Sequence, residues 1–254
     1  MTAPHGNGWP CVGPWRADAL LPEHSVRFLQ AQRHRLLGQI AVPRPWHYAA
    51  LHNPWGQAAS AYDSWGFLDI CMSSPLIETI AMLMGPDIIL FDSQWLPGRR
   101  DSMDDHSNLE SDAHRFPVHP HRGLTALVCC ADRDGSEAHV TYRRPHPHTP
   151  DAPMDVSADL RCGDALLVDS QMPYRIESEA GNRIPNVYAV RYFPASSRYD
   201  RDPASPAHQV LTDRYPLLNY ARMPIWLVNG QDRADNDFVT GFNVRAGFWT
   251  KASW

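Results

Sequence analysis

Two histidines one residue apart, His119-Pro120-His121, stand in the segment Phe116 to Gly123, directly before the apolar run Leu124 to Cys130. Side chains alternate along a strand, so this spacing turns both imidazoles to one side. Neutral ring nitrogens placed in that way can share one iron, zinc or copper ion. The apolar strand that follows puts the pair at the edge of a core. A His-Pro-His can also be a rigid surface turn, and among 13 histidines some close pairs arise by chance. The second such triplet, His146 to His148, lies among prolines and charges and reads as a loop of that kind.

The elements that must position these residues fall into two groups. Pro22 to Gly38 has helical spacing, with Val26, Leu29, Leu36 and Leu37 apolar. Trp65 to Ile70 reads as a short helix. Ser73-Ser74-Pro75 opens another, with a serine able to cap and a proline in the first turn, and Gly85-Pro86 ends it. Ile88 to Leu96 is strand-like, and the charged stretch Gly98 to Ala113, with Asp104, Asp105 and His106, reads as an exposed loop. Short strands then follow at Phe116 to His121, Leu124 to Ala131, Ala138 to Tyr142, Ala165 to Asp169, Tyr174 to Glu177 and Val187 to Phe193. Asp134-Gly135 and Cys162-Gly163-Asp164 are turn signals between them. Helices followed by many short strands predict a mainly β protein with flanking helices, its barrel or sandwich carrying the helices on one side.

Composition narrows the class of function. A chain of 254 residues with 43% hydrophobic content can bury one enzyme-sized core. The expected organisation is a single domain over 1–254, with helical support at 1–90, a barrel core at 115–193 and a C-terminal segment at 207–254. The net charge of −5 includes no basic stripe, which argues against a nucleic-acid partner. No run of 18 apolar residues and no charged-then-apolar leader is present, so no membrane partner is expected. The five cysteines lack C-x-x-C spacing, which fits a reduced, cytoplasmic protein. The 23 prolines argue for structured loops between strands, and Trp9, Trp15, Trp46, Trp55 and Trp65 are expected to pin such loops to the core, with a ligand entrance as the alternative. The expected partner is an organic small molecule; the oligomeric state is not legible.

Several patches together resemble one family. Ser74-Pro75-Leu76-Ile77-Glu78, then Leu83-Met84-Gly85-Pro86-Asp87-Ile88-Ile89-Leu90-Phe91-Asp92-Ser93-Gln94, is similar to the helix-into-strand segment of phytanoyl-CoA dioxygenase-like proteins. His119, Leu124 to Leu127, Gly163 to Ser170 and Val190-Arg191-Tyr192 follow in the same order. The resemblance, over roughly residues 65 to 195, implies a double-stranded β-helix (jelly-roll, cupin-like) and iron(II)- and 2-oxoglutarate-dependent oxygenation. His-Pro-His-Arg-Gly also resembles the metal segment of pirin-like cupins, which share the broader architecture.

The chain departs from that family at the site. The family holds iron with a His-x-Asp pair and a distal His. His119 matches the first ligand, His121 stands where the Asp is expected, and Tyr174 aligns with the distal His. Taking His121 as the first ligand instead puts Gly123 in the carboxylate position, as in halogenating relatives. Asn186 aligns with the arginine that clamps the far carboxylate of 2-oxoglutarate, with Arg191 a few residues on. Gln94 ends a strand that borders the pocket. The expected site is therefore His119, His121 and Tyr174 for chemistry, His119 and His121 for metal, and Gln94, Asn186 and Arg191 for cosubstrate. Three readings stay open. One is an iron(II) oxygenase with altered ligands, Tyr174 or His139 supplying the third. Another is a metal-free enzyme using acid/base groups. The last is a non-catalytic binding protein. With Asn186 in the arginine slot, weak or absent 2-oxoglutarate binding is expected.

Overall fold

The computed structural model describes residues 14–40, 44–56, 61–96, 109–131, 138–144, 153–177 and 186–238, together with the short strands at 242–243 and 248–249. Three helices lie in the first part of the chain: α1 at Glu23–Gln39, α2 at Ser64–Cys71 and α3 at Ser74–Met84. Asp63 caps α2 by accepting a 3.0 Å hydrogen bond from the Gly66 amide. Helix α3 carries its proline in the first turn and stops at Gly85, whose φ of +92° suits glycine. Ser73 precedes α3 as expected but makes no side-chain capping bond.

The strands are β1 at Trp15–Ala17, β2 at Ile88–Leu96, β3 at Val118–His119, β4 at Leu124–Cys129, β5 at Ala138–Arg144, β6 at Met154–Leu160, β7 at Ala165–Asp169, β8 at Tyr174–Glu177, β9 at Val187–Pro194, β10 at Arg198–Tyr199 and β11 at Trp226–Asn229. They form a six-stranded antiparallel sheet in the order β1-β7-β4-β9-β2-β11 and a three-stranded sheet in the order β6-β5-β8, while β3 pairs with β10. The large sheet thus reaches beyond the 115–193 span, taking in β2 on one side of it in sequence and β11 on the other.

Alternation along β9 divides the core. Tyr188, Val190 and Tyr192 face α1, α2 and α3, packing with Leu29, Leu36, Phe67, Leu76 and Ile80. Val187 and Ala189 face the small sheet, in one cluster with Val140, Tyr142, Tyr174 and Ile176. Phe193 faces a C-terminal cover made by helix α4 at Pro206–Arg214 and the residues after it, including Leu211, Tyr215, Tyr220 and Met223. Strand β2 would follow the same rule throughout, but its register with β9 shifts between Leu90 and Asp92. Such a bulge re-phases the side chains. Phe91 packs on the C-terminal cluster, and beyond the shift Asp92 and Gln94 bond to groups on that same inner side while Trp95 joins the helical side.

The tryptophans divide. Trp46 packs against the C-terminal cluster, as a loop pin should. Trp55 and Trp65 instead stay exposed, and Trp55 stacks on Trp226 with ring planes 3° apart. Trp9 lies outside the described residues, as does the Asp134-Gly135 turn.

Candidate functional site

At the middle of the inner face, Arg191 interrupts an otherwise apolar strand and is 1% exposed. A guanidinium cannot be left unpaired in such a place. Its Nε lies 3.0 Å from Asp112 Oδ2, its Nη2 3.2 Å from Asp112 Oδ1 and its Nη1 3.2 Å from Asp92 Oδ2. Asp112 also accepts from the Thr125 hydroxyl at 2.7 Å, the Tyr174 hydroxyl at 3.0 Å and Arg115 Nη1 at 3.3 Å. Asp92 accepts from the Ala50 amide at 3.2 Å and the Tyr220 hydroxyl at 3.4 Å. Nearby, Tyr215 donates to Gln94 Oε1 at 2.9 Å. Strands β2, β4, β8 and β9 and the segment before β3 each contribute to one buried polar cluster.

The two carboxylates are driven apart. Burial raises both, but at Asp112 the Arg191 and Arg115 guanidiniums and the hydroxyl donors outweigh it and hold the carboxyl below its ordinary value. At Asp92 burial prevails over Arg191 and the backbone donors, with Asp112 adding repulsion, so this carboxyl is raised. Burial and the neighbouring Asp112 raise the Tyr174 hydroxyl, which therefore stays protonated and donates. Arg191, despite burial, is held more firmly protonated by Asp112 and its other acidic neighbours.

The histidine pair sits elsewhere. The expected strand Phe116 to His121 shortens to Val118–His119, in which Val118 is buried and His119 points out. The His119 side chain is 69% exposed, its Nε2 3.9 Å from Asp200 Oδ2. His121 lies past the strand end, where alternation no longer governs direction, and it too is exposed, its ring 5.7 Å from that of His119 between centroids. The expectation that both imidazoles face an interior cavity shared with Tyr174 is thus corrected: the pair lies on the solvent side, and the tyrosine is in the buried cluster.

The cosubstrate residues also rearrange. Asn186 precedes β9 and its Oδ1 accepts from Arg33 of α1 at 3.1 Å, so it belongs to the helical side. Arg191, a few residues further on in β9, is the arginine on the inner face. Gln94 does lie on the inner face, where its Oε1 accepts from the Tyr215 hydroxyl. His139 is on the small sheet, 2.5 Å from Asp159. Gly123 is closed to any added group, since a Cβ there would lie 2.7 Å from Phe116 Cε1 and 3.0 Å from the Tyr192 carbonyl oxygen. It is a packing glycine. Asp104, Asp105, His106 and His146 to His148 lie outside the described residues.

Asp112 falls within the stretch Gly98 to Ala113 that the sequence predicts as an exposed loop, yet it is 1% exposed. The signal that could have pointed to it is indirect. An arginine inside the apolar run Val187 to Phe193 demands a buried carboxylate, without saying which.

Iron and 2-oxoglutarate each need donors that are gathered and free. Among the described residues no three His, Cys, Asp or Glu side chains gather so as to hold a metal ion. The Arg191 fork that could grip a dicarboxylate is already spent on Asp112 and Asp92. As they stand, these residues do not fit either group.

No protein-family model matches the chain, and no curated protein matches it in sequence. Solved structures do. CytC3 with Fe(II) and alpha-ketoglutarate aligns over 94% of this chain and 92% of its own, at a TM-score of 0.59 and 15% identity. The non-heme alpha-ketoglutarate-dependent epimerase SnoN from nogalamycin biosynthesis aligns over 75% and 80%, at 0.55 and 19%. The carbocyclase SnoK from the same pathway aligns over 75% and 83%, at 0.54 and 15%. What is shared is the fold: a mainly β chain with a few helices, in the architecture of non-heme iron, 2-oxoglutarate-dependent enzymes.

Proposed function

We propose that this chain is an enzyme acting on an organic small molecule, in specialised metabolism, on a double-stranded β-helix whose metal and cosubstrate positions have diverged, and that it works without 2-oxoglutarate. The observation that carries this is the state of Arg191. The inner-face cation is saturated by two carboxylates of the chain itself, so a bound dicarboxylate would have to displace a buried ion pair. Two carboxyls pushed in opposite directions around one guanidinium are also groups suited to proton transfer. That supports acid/base chemistry such as cyclisation, isomerisation or elimination. The fold neighbours support the enzyme class, since one is named an epimerase and another a carbocyclase. The resemblance to phytanoyl-CoA dioxygenases in particular rests on the sequence patches alone, and a cytoplasmic setting on cysteine usage.

Titration of the full chain with 2-oxoglutarate, metal-free and after anaerobic addition of Fe(II), is expected to give no saturable heat. Tight binding, or succinate release coupled to turnover, would overturn the reading.

A further inference from the structure

Asp112 meets its partners as a ligand meets a receptor. Both oxygens are engaged: Oδ2 by Arg191 Nε, Thr125 Oγ1 and Tyr174 OH, Oδ1 by Arg191 Nη2 and Arg115 Nη1. Three of the four donor residues stand on strands, Thr125 on β4, Tyr174 on β8 and Arg191 on β9. The carboxylate does not. It arrives on the segment 109–115, whose Glu110 exchanges two 3.1 Å backbone hydrogen bonds with Tyr174 and is otherwise held by Arg115 and Arg214. Rigid donors and a separately delivered acceptor are the composition of a binding site with its occupant in place.

We infer that Arg191, Thr125 and Tyr174 form a receptor for a small carboxylate, and that Asp112 fills it from within the chain. The ligand class follows from the size of the occupant. Beyond its Cα an aspartate is a methylene and a carboxylate, which is acetate in all but one hydrogen. Cutting Asp112 back to glycine leaves the donors in place and opens a space of that size, beside a buried guanidinium that keeps only its 3.2 Å contact to Asp92. Formate and acetate fit it; a longer acid must also displace the 109–115 segment.

The inference shares Arg191 and Asp112 with the proposed function but does not depend on it. Binding of 2-oxoglutarate by the wild-type chain tests the one, and the acetate response of a variant tests the other. The Asp112→Gly chain is expected to melt roughly 10 °C or more below wild type. Acetate or formate should restore at least half of that loss, saturably, because a ligand that binds only the folded state stabilises it. Sodium chloride at equal ionic strength should restore none. Wild type, Asp112→Asn and the double variant Asp112→Gly with Arg191→Gln should not respond to acetate. If Asp112→Gly is unfolded as isolated, refolding from urea into acetate and into chloride gives the same decision from near-ultraviolet circular dichroism. Recovery in acetate alone supports the receptor. Equal recovery in both, recovery in neither, or an acetate response that survives loss of Arg191 overturns it.

Discussion

Replacing Arg191 with leucine is expected to lower the unfolding free energy by about 3–5 kcal/mol, the usual cost of removing one partner from a buried ion pair. Much of that cost comes from what is left behind. Asp112, 1% exposed, would keep the Thr125 and Tyr174 hydroxyls but lose both contacts to its main cation. Asp92 would lose the 3.2 Å contact to Nη1 while staying enclosed by β2 and Tyr220. Urea unfolding of wild type, Arg191→Leu, Asp112→Asn and the double variant gives the coupling directly. The double variant should cost clearly less than the two single losses added together. Additive losses, or an Arg191→Leu chain within 1 kcal/mol of wild type, would mean that the cluster is solvated rather than buried.

Acid should weaken the fold well above the carboxylate range, through His52. This residue is fully buried on the helical side of the large sheet, with Nδ1 3.0 Å from Ser93 Oγ and no partner for Nε2 among the described residues. Burial pushes its pKa down to about 3. The sign follows from that depression. In the unfolded chain the ring gains a proton near pH 6.5, while in the folded chain it stays neutral, so the unfolded state binds more protons and stability falls as pH drops. The loss begins near the unfolded value and continues down to about 3. Between pH 7 and pH 5 it amounts to about 2 kcal/mol. His52→Asn keeps a hydrogen-bonding partner for Ser93 and cannot titrate. Its stability at pH 7 will differ from wild type, but its loss between pH 7 and 5 should be smaller than that of wild type by most of this amount. An unchanged pH slope in that variant would show that His52 is reached by water.

Much of the scaffold was legible in the residues. Helix α3 was bracketed by Pro75 and Gly85, and β2, β7 and β8 were read with their observed limits, because turn residues bound each of them. Strand β6 was not anticipated. Its inward positions Met154, Val156, Ala158 and Leu160 alternate with Asp155, Ser157 and Asp159, which is a strand pattern too weakly apolar to stand out. The site was less legible for two physical reasons. Period-two alternation predicts direction only while a strand lasts, and β3 ends at His119, so His121 took its direction from a turn. Asp112 lay hidden because burial of a charge is decided by its partner. Arg191 stands 79 residues further along the chain, and nothing local to Ser111-Asp112-Ala113 marks the aspartate as interior.

Those separations carry a consequence for how the chain reaches its native state. The links of the central cluster join residues 62 apart for Asp112 and Tyr174, 79 for Asp112 and Arg191, 99 for Asp92 and Arg191, and 128 for Asp92 and Tyr220. Long loops must close before any of these contacts repays the entropy of closing them. The charges also keep their water until the sheets and the C-terminal cover meet around them. The expected result is that the ion pairs form after the rate-limiting step, so that their removal appears in stopped-flow traces as faster unfolding with little change in the folding rate. Arg191 and Asp112 then act as a late bolt: they leave the speed of assembly alone and set the lifetime of the assembled protein.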